Sequence, residues 1–206
     1  MKKPSRESVS DKLTAKFWKQ DIKPGFEIGR YTLLEKLGSG KLGWAWRATS
    51  GKGDEVCLKI LWTSGFTCSM DRRKYALKEY QALEILAPLG ISPKPIDLYL
   101  TPWVSCVVME LIRGTSIEGY PWTISQEEKI KALEKVGPIM HMELPVWHAD
   151  MHLGNFMWDG QKVWLIDLGE HLDLRDVGDV ARRKRADRVD EWKWTLSRLM
   201  KARELP

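Results

Sequence analysis

The sequence has 206 residues, of which 43% are hydrophobic, and a formal net charge of +5 from 33 basic and 28 acidic side chains. This length suits one domain or two small lobes with a real core, and the mild positive charge suits an anionic ligand such as a nucleotide without arguing for nucleic acid. The three cysteines are widely spaced, no apolar run is long enough to span a membrane, and the N terminus does not resemble a signal peptide. These features predict a cytoplasmic protein without a transmembrane segment.

Hydrophobic periodicity predicts an α+β fold. Residues 1–28 are polar and basic, with an amphipathic stretch at 8–20 that we expect to pack on the protein's own domain. The remaining elements, in chain order, are strands at 31–37, 43–48 and 55–61 that form an antiparallel meander, a helix at 71–86 with Asp71 as N-cap, strands at 96–100 and 104–109, a helix at 125–142 that opens with a capping box, a strand pair at 156–158 and 163–166, and a helix at 177–201. A meander followed by mostly helix is typical of the α+β class, and we expect a hinge near residues 110–114.

A glycine-rich loop joins the first two strands of the meander, with the sequence Gly38-Ser39-Gly40-Lys-Leu-Gly43. The same spacing occurs in dinucleotide-binding turns, but those turns open a helix, whereas a strand pattern follows here. Glycines allow the backbone N–H groups of such a hairpin to approach the phosphates of ATP. Taken alone, the motif fits an ordinary glycine-rich hairpin turn equally well.

Lys59 lies in the third strand of the meander between apolar neighbours. A lysine at such a position reaches into a cleft and pairs with the α- and β-phosphates; the alternative is a side chain that extends from an edge strand to solvent. We expect Glu79, on the following helix, to orient Lys59 through an ion pair. Glu84 is the rival partner. The predicted core residues that surround Glu79 more closely are Leu77, Tyr80 and Leu83.

The strongest chemical signal is the segment His148-Ala-Asp150-Met-His152-Leu-Gly-Asn155, followed by the Leu-Ile-Asp-Leu-Gly segment that contains Asp167. Asp150 is the expected base, which accepts the proton of an attacking hydroxyl group. The amide oxygen of Asn155 and the carboxylate of Asp167 are the expected Mg²⁺ ligands. Because phosphoryl transfer needs little beyond positioning and charge neutralisation, these pieces predict an ATP- and Mg²⁺-dependent phosphotransferase.

His148 and His152 could resemble a pair of zinc ligands. No other nearby His or Cys ligand is present to complete a zinc site, so we do not expect one. We expect His148 to be a packed part of the loop, and we leave the role of His152 open.

At these residues, from about 31 to 169, the chain resembles the protein-kinase-like superfamily. The glycine-rich loop and Lys59 are similar to the nucleotide lobe of ordinary kinases, and residues 78–96 are similar to the helix and turn of the Rio family of atypical kinases. The His-x-Asp-x-His-x-x-Asn loop is most similar to aminoglycoside phosphotransferases, lipopolysaccharide-core kinases and ubiquinone-biosynthesis kinase-like proteins. Residues 109–114 resemble the kinase hinge, which implies that the backbone at Glu110 and Ile112 binds adenine.

The resemblance implies a two-lobed protein-kinase-like fold, with a small antiparallel-sheet N-lobe, a truncated and mostly helical C-lobe, and ATP between them. The corresponding domains are a basic tail at 1–28, a nucleotide-binding lobe at 29–110 and a reduced catalytic lobe at 111–206. Lys59, Glu79 and Asp150 are then catalytic. The residues implied for nucleotide binding are Gly38, Ser39, Gly40, Gly43, Lys59, Glu110 and Ile112, and those implied for the metal are Asn155 and Asp167.

Departures from the kinase pattern shape the expected function. Ala149 replaces the arginine that reads a phosphorylated activation loop, and no Ala-Pro-Glu segment follows Asp167. We therefore expect a minimal Ser/Thr protein kinase that autophosphorylates, with a small-molecule or glycan kinase of the lipopolysaccharide type, or an ATPase switch or scaffold, as alternatives. The basic run at 182–185 would suit RNA, but acidic residues alternate with it, and a solvated helix face is the preferred interpretation.

Overall fold

The computed structural model describes residues 22–40, 43–61, 72–100, 105–118, 124–142, 144–148, 151–172 and 179–203. The expected amphipathic stretch at 8–20 and the expected N-cap Asp71 lie outside these ranges. The chain divides into two compact units: unit 1 consists of Met1–Tyr80 and Pro95–Leu111, and unit 2 of Gln81–Lys94 and Ile112–Pro206. The sequence-based domain boundaries remain a prediction.

Unit 1 contains a six-stranded antiparallel sheet. Its strands, in chain order, are β1 (Glu27–Ile28), β2 (Tyr31–Ser39), β3 (Gly43–Ser50), β4 (Glu55–Leu61), β5 (Pro95–Leu100) and β6 (Ser105–Glu110). Their order across the sheet is β1-β2-β3-β4-β6-β5, which confirms the predicted meander and places the two later strands beside it. Alternation in β4 buries Leu58 and Ile60 on one face and turns Lys59 to the other.

The sheet curls so that residues near its two ends meet. The ring of Tyr31 in β2 packs edge-to-face on that of Tyr99 in β5, with centroids 6.2 Å apart, and Arg30 lies 3.3 Å from Asp97. Gly29 permits this approach, because a Cβ atom there would overlap the Tyr99 ring. The inner face of the curled sheet holds the core of unit 1: Ile28, Tyr31, Leu33, Trp46, Ala48, Val56, Leu58, Ile60, Cys106 and Val108.

Helix α1 (Arg72–Leu86) begins in unit 1 and continues into unit 2. Its buried residues are Tyr75, Ala76, Glu79, Ala82, Leu83 and Leu86. The prediction that Leu77 belongs to the core face is wrong, because its side chain is exposed. The buried stripe includes the predicted Leu83, but it also includes the carboxylate of Glu79, which a pattern based on apolar residues alone passes over.

In the described part of unit 2, two further α-helices and two small sheets follow α1. Helix α2 (Gln126–His141) begins with the predicted capping box, in which the Ser125 side chain accepts from the Glu128 N–H and the Glu128 carboxylate accepts from the Ser125 N–H. Helix α3 (Asp179–Arg203) packs on α2. The small sheets consist of β7 (Thr115–Ser116), β9 (Phe156–Trp158) and β10 (Val163–Leu165), in the order β10-β9-β7, and of β8 (Trp147–His148) paired with β11 (His171–Leu172).

One tryptophan fixes the contact between α2 and α3. The indole N–H of Trp192 donates to the carbonyl oxygen of Leu133 at 2.7 Å, and its ring lies edge-to-face on His141. A Cβ atom at Gly137 would come within 2.5 Å of the Trp192 ring, so the glycine allows the two helices to approach. None of the described helices carries an apolar stretch of the length that a bilayer requires.

Candidate active site

A buried ion pair joins Lys59 to Glu79 within unit 1. The Lys59 ammonium lies 2.7 Å from Oε1 of Glu79, and the two side chains are 14% and 2% exposed. Strand pairing sets Lys59 between Ala45 of β3 and Val107 of β6, so its strand is interior to the sheet rather than at an edge. The alternative of an edge-strand lysine that extends to solvent is therefore wrong.

Glu79 is the partner that the sequence predicted, and the rival Glu84 is exposed. Leu77, which was expected to help enclose Glu79, is exposed and does not do so. Close by, burial raises the pKa of Cys57 to about 12; the charge of Lys59 opposes this rise and that of Glu79 adds to it. The Cys57 thiol is thus held neutral beside the ion pair.

The glycine-rich loop is a tight hairpin between β2 and β3. The Gly40 N–H donates to the Gly43 carbonyl at 2.9 Å, and the two residues between them lie outside the described ranges. A Cβ atom at Gly43 would overlap the carbonyl oxygen of Ile60 on β4, so strand packing requires that glycine. A Cβ atom at Gly38 would meet open space, and packing does not require a glycine there.

The two expected metal ligands lie on neighbouring segments of unit 2. Asn155 is buried and ends a short 3₁₀ helix, Leu153–Asn155, whose start is capped by His152. The Asn155 carbonyl accepts from the N–H of Ile166 at 2.8 Å, and Asp167 is the next residue along the chain. The backbone of Asp167 has φ of 58°, in the left-handed region that Asp tolerates better than most residues, and its side chain is exposed.

A family-model comparison identifies a RIO domain over residues 47–178, which is well over half of the chain. The chain belongs to the RIO family. This family is one of atypical, protein-kinase-like domains, and the curled antiparallel sheet and three helices agree with that fold. No match was found among curated proteins.

The RIO match spans Lys59, Glu79, Asn155 and Asp167. The glycine-rich loop lies before the matched range, so its assignment rests on the sequence pattern and hairpin geometry. Asp150 falls within the RIO match but outside the described residues, and its role as a base stays a prediction. The finer likeness of its loop to aminoglycoside and lipopolysaccharide kinases also stays a prediction.

The expected hinge residues of this RIO domain occupy the end of β6 and the segment after it. Glu110 is the last residue of β6 and pairs with Val56. Ile112 lies in the irregular segment that follows and is half-buried. Gly114, two residues on, is required by packing, because a Cβ atom there would come within 2.6 Å of the Trp158 carbonyl oxygen.

Two charged residues near the segment 148–155, Glu118 at His152 and Lys129 near Glu118, were not predicted from the sequence. Oε2 of Glu118 lies 3.1 Å from Nδ1 of His152, and the same ring nitrogen accepts from the Gly154 N–H at 3.0 Å. Lys129 of α2 is buried, and its burial lowers its pKa while the charge of Glu118 opposes that fall. Neither residue stands in a motif, so the sequence carries no signal that would single them out. His148 is buried, in agreement with its expected packed position.

Proposed function

We propose that this RIO-family chain is an ATP- and Mg²⁺-dependent phosphotransferase, and specifically an atypical Ser/Thr protein kinase that autophosphorylates. The observation that carries the proposal is the Lys59–Glu79 ion pair, buried on an interior strand and the first helix. A buried ion pair is often no more stabilising than apolar side chains of similar volume, so its presence here favours a functional role for the charge of Lys59. Glu79 holds the ammonium of Lys59 in one position, from which Lys59 binds the α- and β-phosphates of ATP.

The glycine-rich hairpin supplies backbone donors in this proposal. Gly38, Ser39, Gly40 and Gly43 line the turn, and open space where a Cβ atom of Gly38 would stand supports close approach of a phosphate to the backbone. The adenine ring binds the backbone at Glu110 and Ile112. These assignments follow from the likeness to kinases.

Oxygen donors in unit 2 suit Mg²⁺. Asn155 offers an amide oxygen from a buried and hydrogen-bonded position, and Asp167 offers an exposed carboxylate. Mg²⁺ prefers such hard ligands and keeps several waters or phosphate oxygens in its coordination shell, so two protein ligands suffice. When bound, the ion neutralises charge on the phosphates. Asp150 accepts the proton of the acceptor hydroxyl and directs its oxygen towards the γ-phosphorus.

The second candidate is a small-molecule or glycan kinase. His152 favours it, because it caps the 3₁₀ helix that carries Asn155 and belongs to the loop pattern of the small-molecule kinases named above. The third, an ATPase switch or scaffold, would use the same residues without an acceptor. We place the protein in the cytoplasm on the sequence grounds given above.

The test is incubation of the purified chain with γ-labelled ATP and Mg²⁺, with label followed separately in protein and in free phosphate. We expect label on the protein or on an added protein acceptor. Asp150→Ala should abolish transfer while nucleotide still binds, and Asp167→Ala should weaken capture of Mg²⁺–ATP in a titration with and without magnesium. Asp54→Ala, at an exposed turn, is the matched control and should leave transfer unchanged.

The outcomes separate the candidates. Free phosphate alone would favour the ATPase switch or a missing small-molecule acceptor, and a screen of metabolites as acceptors would decide between them. An active Asp150→Ala protein would overturn the assignment of the base. If Lys59→Met and Asp167→Ala both bind nucleotide as well as the unmodified chain does, the assignment of the whole site is overturned.

A further inference from the structure

The outer face of α3 is charged and carries one large exposed aromatic side chain. The inner face packs on α2 through Trp192, and through Leu199, whose carbonyl accepts from the Gln126 side chain. The opposite face is centred on Trp194, which is 62% exposed. At 3.6 residues per turn, five charged side chains among those that the structure describes in α3 (186–201) project within about 60° of Trp194. They are Asp187, Asp190, Glu191, Arg198 and Lys201, all of them exposed.

These five charges are sorted by sign along the helix. The acidic residues precede Trp194 and the basic residues follow it. Asp190 and Arg198 each stand four residues from Trp194, and Asp187 and Lys201 each stand seven residues from it. The face is therefore complementary to itself when it is turned end over end about Trp194.

We propose that this face binds a second copy of the chain, as an antiparallel helix pair with Trp194 at the two-fold axis. Asp190 then lies opposite Arg198 of the second copy, and Asp187 opposite its Lys201. A contact in which the same patch serves on both subunits is the usual geometry of homodimers. The proposal is independent of the proposed catalytic function, and α3 lies beyond the residues matched by the RIO domain.

Contacts within α3 favour this arrangement. The Arg198 guanidinium lies 5.2 Å from the centre of the Trp194 ring, so the two side chains present one broad surface, and Trp and Arg are the residue types most enriched at interface hot spots. Arg188 engages Glu191 at 2.7 Å, whereas Lys193 approaches Asp190 only to 3.9 Å, which leaves the Asp190 carboxylate open to a stronger partner.

A second copy fits this face better than other partners. A nucleic acid would match only its basic half, and a basic peptide only its acidic half. A parallel arrangement would bring like charges together. The contact is small, since one tryptophan per copy and about four helical turns bury less than the roughly 1,200 Å² of a stable complex. We therefore expect a weak dimer that dissociates as salt is raised, because its ion pairs are exposed.

The experiment is sedimentation velocity of the full chain from about 5 to 500 μM at low salt. We expect a reversible dimer, and Trp194→Ala should weaken its association at least about tenfold. Asp190→Arg and Arg198→Glu should each weaken it by a similar factor, because each places like charges opposite one another. The double variant should restore association to within about threefold of the unmodified chain, since complementarity returns with reversed sign. Met200→Ala, an exposed flanking position, is the matched control and should change nothing.

Clear results would overturn the proposal. A monomer over the whole concentration range would do so, as would a dimer that the single charge reversals leave intact. A double reversal that stays as weak as the single variants would exclude the antiparallel register. Thermal unfolding of each variant, monitored by circular dichroism, should match that of the unmodified chain, because all the changed side chains are exposed.

Discussion

Breaking the Lys59–Glu79 pair from each side, and then replacing it as a whole, separates what the pair does for stability from what it does for function. Lys59→Met leaves the Glu79 carboxylate, 2% exposed, without its charged partner. Glu79→Leu leaves the ammonium of Lys59, which is 14% exposed and has a long flexible stem that can turn towards water. The first change should therefore cost more stability than the second.

The magnitude follows from the geometry. At 2.7 Å, the attraction of two unit charges is about 6 kcal/mol at an effective dielectric constant of 20, and the desolvation of both groups offsets much of it. We expect Lys59→Met to lower the free energy of unfolding by about 3 kcal/mol and Glu79→Leu by about 2 kcal/mol. The double variant should lose only about 1 kcal/mol, because two apolar side chains of similar volume pack where the charges stood. The coupling energy is then about 4 kcal/mol.

Urea unfolding at pH 7 of the four proteins measures this cycle, and phosphoryl transfer is assayed on the same samples. The matched control is the exposed pair of Glu127 and Lys131 on α2, whose atoms lie 3.0 Å apart and whose coupling should be below about 0.5 kcal/mol. A coupling energy under about 1 kcal/mol between Lys59 and Glu79 would refute the buried pair. A double variant that regains stability but transfers no phosphate would show that the charges serve the reaction.

Three further predictions concern packing and titration. Gly43→Ala should lower the free energy of unfolding by about 3 kcal/mol in urea, because its Cβ atom would overlap the backbone oxygen of Ile60; the same change at Gly38 meets open space and should cost under about 1 kcal/mol. Trp192→Phe should cost about 1 kcal/mol through loss of the bond to the Leu133 carbonyl, and an unchanged unfolding midpoint would contradict it. Burial raises the pKa of Cys57 in the folded protein to about 12, from about 9 in the unfolded chain. The stabilisation that comes from keeping the thiol neutral is therefore complete below about pH 9 and is lost as the pH rises towards 12. Unfolding free energy should fall in that window by up to about 1.4 kcal/mol per pH unit, with a shallower slope in Cys57→Ala.

The regular elements of this chain could be predicted because they are long enough to show a period. The sheet strands of three or more residues and the three helices were predicted within a few residues of their observed bounds. The two-residue strands β1, β7, β8 and β11 were not, since a pattern with a period of two has no meaning over two residues. The curling of the sheet was also not predictable, because it brings together residues that are far apart in sequence, such as Arg30 and Asp97.

The candidate site was predictable where residue type and order carry the chemistry. The partners Lys59 and Glu79 followed from their positions in a strand and a helix. Which face of α1 is buried did not follow, because a paired carboxylate occupies a place that hydrophobic patterning reserves for an apolar residue. The left-handed backbone at Asp167 and the contact of Glu118 with His152 arise from tertiary structure, and no local sequence rule specifies them.

The strand order of unit 1 has a consequence for how the unit is made. β6 lies between β4 and β5, although it is the last of these strands to leave the ribosome. The inner place in the sheet therefore stays empty until synthesis reaches Glu110, and a nascent chain that ends at α1 holds only a partial sheet. An expression fragment intended to isolate this unit has to extend through β6, and a stop placed after α1 should yield an insoluble product.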